Sequence, residues 1–520
     1  FFIILSNLRE TYPPEHDILN SVHYDRIGGS YCMSIFSEVL SELIQQKEIK
    51  VFSMVKYCHL DRSTMYKIIN GKRNPPAPDV YKKMTDFMRL TPTENQRLTE
   101  AWKITRMGSE TYYKRKSVEN LICHFPSALP TPPLNYYINS QNDPGEAGEK
   151  NCIALSSRQH MNYFLHRMFL EEAGKKDGNI SLFMQADYDF LFSLLSSLKP
   201  SGTLKVQHIL CMSSKTQFTS ENEVYNLQCL KKIFPLYMTE LKYTVWYFYD
   251  EIQSHFYNFN LFPYMILTTE AAILCSSDYQ EGIYFQDKDI VNMLRKIYLS
   301  CREKCSPLFE AVQIRPENCV NIFSALFRFS YQEENMIGIQ PEACLTPFLA
   351  GGILDDIFNR EIDNGSFILS QGQKAFECSR QKISKNQFLL YFTLPGLVHF
   401  ARTGLVEEIP EIFYRPLTLS QRIMVLQNVL TCCQTGTYRI LEESLSYLPQ
   451  NLHLCICGGE GSILFRDNNG HVVFLLIKES GLLDTFRDYL EHMEDSSFYK
   501  PEEAAFLVNN VIEKLKKELP

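Results

Sequence analysis

The stretch from Ser53 to Pro75, Ser-Met-Val-Lys-Tyr-Cys-His-Leu-Asp-Arg-Ser-Thr-Met-Tyr-Lys-Ile-Ile-Asn-Gly-Lys-Arg-Asn-Pro, constrains this chain more than any other. It reads as two short helices meeting at a tight turn, then a stop and a basic loop, the layout of a helix-turn-helix. Asp61 stands where a carboxylate accepts the free N–H groups of the second helix's first turn. Met65 and Ile68 are three positions apart and Ile69 adjoins them, so they share one face. That face is expected to pack on Met54, Val55 and Cys58, which turns Arg62, Ser63, Tyr66, Lys67 and Asn70 outward. Gly71 suits the left-handed residue just past a helix end. Ile35, Val39, Leu40 and Leu43 form an amphipathic first helix, and Val80, Met84, Phe87 and Met88 a fourth. A fifth, from about Thr93 to Thr105, carries Leu98 and Trp102.

Over roughly Met33 to Met107 the chain resembles the Cro/C1 (XRE) family of bacterial and phage repressors. Leu60 to Pro75 is similar to the family pattern in which a Ser/Arg-rich recognition helix runs into Gly-Lys-Arg-x-Pro. The resemblance implies a DNA-contacting set of Arg62, Ser63, Thr64, Tyr66, Lys67, Asn70, Lys72 and Arg73. By it Arg62, Ser63 and Lys67 face base edges. Lys72, Arg73 and the start of the helix at Val51–Phe52 hold phosphates. Two residues depart from the pattern: His59 replaces a turn Gly, and Ile69 stands where Glu is common.

Charge agrees. Met33 to Met107 carries 13 Lys+Arg and 8 Asp+Glu, a net of +5, whereas the whole chain is −8. A basic module on an acidic body is what a phosphate-facing domain shows. Lys114-Arg115-Lys116 adds a basic cluster that reads as solvated linker.

At 520 residues the chain has length for two to four domains. An apolar content of 45% excludes a largely disordered protein, and no apolar run reaches the roughly 18 residues of a membrane span. The 16 cysteines are scattered through apolar segments and read as reduced residues of a cytoplasmic protein. Residues 1–32 lack periodicity, and Met33 stands where a family member would begin, so 1–32 reads as an untranslated leader or a disordered extension.

The expected fold class is multidomain: an N-terminal all-α helix-turn-helix bundle (33–107), a linker (108–155), and a large mixed α/β region. That region divides into a sensor lobe (156–315) and a second lobe (316–520), two possibly related units. Strands are expected at Ile180–Met184, Leu204–Met212, Tyr243–Tyr249, Tyr264–Leu267, Ala272–Cys275 and Gly282–Phe285, with a helix from Lys288 to Ala311. In the second lobe Tyr438–Leu441, Leu452–Cys457, Ser462–Phe465 and Val472–Ile477 read as strands. The element order loosely resembles the phospholipase D-like sensor domain of some sugar-responsive regulators.

No catalytic constellation emerges, and the chain is expected not to be an enzyme. The phospholipase D reaction needs His-x-Lys, but His208 and His471 are followed by Ile209-Leu210 and Val472-Val473 and read as strand histidines. Cys301 and Cys305 share a helical face, yet nothing nearby supplies a second pair for zinc. Cys455-Ile-Cys-Gly-Gly-Glu-Gly lacks the GxxxxGK[ST] of a phosphate loop and reads as a strand entering a hairpin. The aromatic run Tyr243–Phe259 suits sheet packing better than a pocket. No cofactor or metal is called for. The expected partners are double-stranded DNA, a second copy of the chain, and a small-molecule or peptide effector, with no membrane. The function expected is that of a sequence-specific transcription regulator; the alternative is a cytosolic ligand-binding protein or enzyme that uses the helical bundle for docking.

Overall fold

The computed structural model describes residues 33–125, 151–219, 222–251, 261–313, 329–442, 448 and 452–518. The reading of 1–32 as a leader or extension, the Pro-rich part of the linker, and residues 252–259 of the aromatic run lie outside them. The chain divides into two compact units between Tyr112 and Tyr113.

The first unit is all helical. Helices α1 (Ile35–Gln46), α2 (Val51–Cys58), α3 (Arg62–Ile69), α4 (Pro78–Met88) and α5 (Pro92–Met107) follow one another through short turns. Their starts are capped by local chemistry. Ser34 accepts the Ser37 N–H ahead of α1, and Thr91 and Glu94 form a reciprocal capping box ahead of α5, with Pro92 at its first position. Phe36, Leu40, Met54, Met65, Met84 and Leu98 form the centre of one core. Glu42 of α1 takes both guanidinium N–H groups of Arg97 of α5, at 2.6 and 3.1 Å.

A sixth helix, α6 (Ser109–Cys123), spans the division and occupies the start of the stretch read as linker. Its far half carries Val118, Leu121 and Ile122 into the core of the second unit. Arg115 makes two hydrogen bonds to Asp488, at 2.9 and 3.0 Å. The basic cluster at 114–116 is therefore not simply a solvated linker.

The second unit is mixed α/β, built on two sheets. In the first lobe come β1 (Cys152–Leu155), α7 (Arg158–Ala173), β2 (Asp177–Phe183), α8 (Asp189–Ser197), β3 (Thr203–Met212), α9 (Tyr225–Tyr237) and β4 (Lys242–Tyr249). They are followed by β5 (Tyr264–Leu267), β6 (Ala272–Cys275), β7 (Gly282–Phe285), α10 (Lys288–Arg302) and the short β8 (Ser306–Pro307). The helix expected to reach Ala311 ends at Arg302, because Pro307 has no N–H for a helix and instead pairs with Trp246 at a sheet edge.

The second lobe runs through β9 (Phe309–Gln313), β10 (Met336–Ile339), α11 (Ile353–Ile357), α12 (Gly365–Ser384), β11 (Phe388–Phe392), α13 (Leu394–Thr403), α14 (Leu419–Thr435) and β12 (Tyr438–Ile440). It continues with β13 (His453–Cys457), β14 (Glu460–Arg466), β15 (Val472–Ile477), α15 (Ser480–Glu491) and α16 (Pro501–Lys516).

The strand orders are β1-β7-β6-β5-β2-β3-β4-β8 and β12-β11-β10-β13-β14-β15-β9. Read from the other edge, the second is β9-β15-β14-β13-β10-β11-β12, which matches the first seven strands of the other sheet place for place. The directions match as well. β2-β3-β4 and β10-β11-β12 are the parallel sets, and every other pairing is antiparallel. The two lobes share one topology. Ile337, Leu454, Ile463, Phe465 and Leu475 of the second sheet join Leu182, Val206, Phe234 and Tyr264 of the first lobe in a single core. Among the described residues no helix is long and apolar enough to cross a membrane.

Candidate nucleic-acid interface

The α2–turn–α3 segment owes its shape to a few local interactions. α2 ends at His59, which takes a left-handed backbone, φ 55° and ψ 38°. A residue with a Cβ fills the position of the usual turn Gly, and the turn keeps its sharp reversal. Asp61 then caps α3, its carboxylate accepting the Thr64 N–H at 2.8 Å. The Thr64 hydroxyl and backbone N–H hold the Asp61 carboxyl below its ordinary range.

Met65, Ile68 and Ile69 are buried and pack with Met54, Val55 and Cys58. Ile69 thus sits in apolar packing where the family pattern has a carboxylate. The end of α3 closes through Lys72 N–H to Lys67 C=O at 2.8 Å and Gly71 N–H to Ile68 C=O at 3.2 Å, with Gly71 at φ 71°. This is the paired bond pattern of a Schellman cap. The hydroxyls of Ser37 and Ser41 on α1 donate to the C=O groups of Ile68 and Ile69 at 2.8 and 3.1 Å. Sequence reasoning missed these two serines, whose partners lie about 30 residues away.

Arg62, Ser63, Tyr66, Lys67 and Asn70 are exposed on α3, as are Lys72 and Arg73 on the following loop, while Thr64 is half-buried. The Arg62 guanidinium lies 5.7 Å from the centre of the Tyr66 ring. Arg73 reaches back to donate to the Thr64 hydroxyl at 2.9 Å, which brings the loop cation to the start of α3. Lys56 stands 4.6 Å over the Phe52 ring on α2, whose first turn has no side-chain cap among the described residues. The result is a face of cations and amide or hydroxyl groups with Asp61 engaged in the cap. Such a face presents guanidinium, ammonium and amide donors to phosphate oxygens and base edges.

The other motifs resolve into structure. His208 is fully buried, its ring nitrogens 2.7 Å from the Tyr243 hydroxyl and 3.0 Å from the Met184 C=O, and burial pushes its pKa down to about 4. His471 lies in the turn before β15 and not on a strand, 3.2 Å from Asp467. The Cys305 thiol donates to the Cys301 C=O at 3.2 Å. Cys455 and Cys457 lie on β13, which pairs antiparallel with β14 through a Gly458–Gly459 turn. Among the described residues, no group of three or more His, Cys, Asp or Glu is placed to hold a metal ion. One buried polar group that the sequence hid is His453, on β13, its Nε2 3.5 Å from Glu407 Oε2 and neither ring nitrogen hydrogen-bonded among the described residues.

No protein family model matches the chain, and no curated protein matches it. Similar solved structures include TrmBL2, an archaeal chromatin protein with a novel mode of DNA binding, at 14% identity, covering 52% of this chain and 99% of that one with a TM-score of 0.21. They include phosphatidylserine synthase of Haemophilus influenzae Rd KW20, at 8% identity, 78% and 99% coverage and a TM-score of 0.21. Polyphosphate kinase from Porphyromonas gingivalis is similar at 12% identity, 70% and 55% coverage and a TM-score of 0.20. TM-scores this low carry neither fold nor activity to this chain. With two enzymes among these structures, the expectation that the chain is not an enzyme is withdrawn.

Proposed function

We propose that this chain is a sequence-specific DNA-binding transcription regulator, with α3 as the recognition helix and the C-terminal α/β unit as its effector-sensing or dimerising part. One observation carries the reading. The residues that the Cro/C1 resemblance assigns to DNA share the outer side of α3 and its following loop, while Met65, Ile68 and Ile69 hold the inner side in the core.

In this reading Arg62 and Lys67 donate to guanine O6 and N7, the commonest specific contact, and Asn70 suits adenine. Ser63, Thr64 and Tyr66 contribute hydroxyls, and Lys72 and Arg73 neutralise phosphates irrespective of sequence. Two heads on a dimer reading half-sites one helical turn apart multiply a specificity that one short helix cannot supply. An effector shifts such a dimer only by binding its two arrangements with different affinity.

Affinity selection of fragmented genomic DNA tests this, comparing the full chain with its Arg62→Ala/Lys67→Ala variant. Enrichment of a palindromic site by the unaltered protein alone is expected. Each single substitution is expected to weaken specific binding by about 1–3 kcal/mol, whereas Arg73→Ala weakens all sequences alike. Equal enrichment by both folded proteins removes α3 as the recognition element.

A further inference from the structure

In each lobe of the second unit the strand order reverses beside one central strand. β2 has β3 on one side and β5 on the other; β10 has β11 and β13. Open α/β sheets take ligands at such a reversal, beyond the carboxyl ends of the strands. The two lobes treat this place differently. In the first, Tyr188, Tyr264 and Tyr279 fill it as a stack, with ring centres 4.1 and 5.4 Å apart, and the Tyr279 hydroxyl donates to the Asp187 carboxylate.

In the second, the register that sets Ile339 opposite Leu454 brings Gln340 and His453 to the corresponding position. There a cavity of about 160 Å³ opens. Phe358, Ile368, Phe376, Phe413 and Phe474 supply apolar walls, and Gln340, Cys344, Glu408, His453 and Ser462 lie among the polar lining residues.

That polar lining is arranged and incomplete. Gln340 donates to Glu408 Oε1 at 2.8 Å, and the Cys344 thiol to Glu408 Oε2 at 3.5 Å, so the carboxylate is held in place as an acceptor. His453 is 6% exposed, and neither Nδ1 nor Nε2 has a hydrogen-bond partner among the described residues. Its Nε2 lies 3.5 Å from Glu407 Oε2, within ion-pair reach but without hydrogen-bond geometry. A buried polar group left without a partner costs free energy, and a ligand that supplies the partner recovers it.

Charge and size narrow the ligand. Among the described residues lining the cavity, none is Lys or Arg, and Glu408 is the carboxylate. No guanidinium or ammonium side chain of the described lining is there to pair an anion. An ammonium has a partner in Glu408, and the ring nitrogens of His453, which have no hydrogen-bond partner among the described residues, lie in the same lining. A cavity of roughly 150 Å³ holds one benzene-sized body, and the phenylalanine walls suit an apolar one.

We propose that this cavity binds a small apolar primary amine, its ammonium paired with Glu408 and hydrogen-bonded to His453, its single ring or branched alkyl body against the phenylalanine walls. The inference concerns the second lobe alone and stands whether or not α3 reads DNA.

Isothermal titration of the full chain with benzylamine, benzyl alcohol and benzoate, which share a ring and differ in the head, tests it. Saturable one-to-one binding of benzylamine is expected, at least tenfold tighter than benzyl alcohol, with none for benzoate. Glu408→Gln is expected to remove that preference for the amine. Ile368→Trp, which fills the space and leaves the polar groups in place, is expected to abolish binding of all three and covers the case in which Glu408→Gln fails to fold. Benzoate or benzyl alcohol binding as tightly as benzylamine overturns the proposal. So does benzylamine binding that survives Ile368→Trp, or the absence of benzylamine binding to the unaltered chain.

Discussion

His59 sits at φ 55° in the turn between α2 and α3, a left-handed backbone that costs a residue with a Cβ about 1–2 kcal/mol. His59→Gly is expected to stabilise the helical unit by about 1 kcal/mol once the extra freedom of glycine in the unfolded chain is offset, read as a raised urea midpoint. A second residue-scale consequence comes from Glu342, which is 0% exposed. One of its oxygens accepts the Glu407 N–H at 2.9 Å and the other has no hydrogen-bond partner among the described residues. Burial, and then the neighbouring Glu407 carboxylate, push its carboxyl well above the ordinary range, so the folded chain keeps a proton that the unfolded chain releases. The contribution to stability is complete below the unfolded value of about 4.3. It is lost at about 1.4 kcal/mol per pH unit as pH rises toward the folded value. Glu342→Gln, which cannot ionise, is expected to flatten this decline in urea unfolding measured from pH 5 to pH 8. An unchanged slope would assign the decline to other groups.

At the scale of elements, α3 is fixed at both ends by interactions of different range, and their legibility follows that range. The Asp61 cap and the Gly71 stop were readable because each acts within a few residues of its partner. The Ser37 and Ser41 bonds to the end of α3 were not, because nothing in the spacing of a serine announces a carbonyl in another helix. Gly71→Ala tests the stop. Position 71 has φ 71°, and a Cβ there would stand 3.1 Å from the Ser34 nitrogen and 3.2 Å from the Met33 Cα. A loss of about 1–3 kcal/mol is expected from backbone strain alone, measured by thermal unfolding. The same contrast holds in the sheets. β5, β6, β7 and β15 were legible to the residue because apolar runs of four to six end in Thr, Ser, Gln or Lys. β10 and β11 lie in a stretch from which no strands were read, and their assignment depends on pairing with β13 and β12.

At the scale of the whole chain, the amine cavity was invisible in the sequence because its lining is drawn from positions between 329 and 474 with no common spacing. The matching of the lobes makes it interpretable: one fold is used twice, with tyrosines closing the reversal point in one copy and a cavity left in the other. The same duplication bears on how the second unit unfolds. The second lobe has a core of its own around Phe392, Phe400 and Val425, yet β13, β14 and β15 also send Leu454, Ile456, Phe465, Val473 and Leu475 into the cluster that holds Leu182, Leu210 and Phe234. Phe465 is at its centre, fully buried, with its ring 5.3 Å from that of Phe125 beyond α6. Phe465→Ala leaves a cavity and is expected to cost about 3–5 kcal/mol. Because that cavity lies in a core shared by both lobes, calorimetry of the full chain is expected to show the transition of the α/β unit moving to lower temperature as one peak. A split, with one lobe melting early and the other unchanged, would mean that the shared cluster does not couple them, and that each copy of the fold carries its own stability.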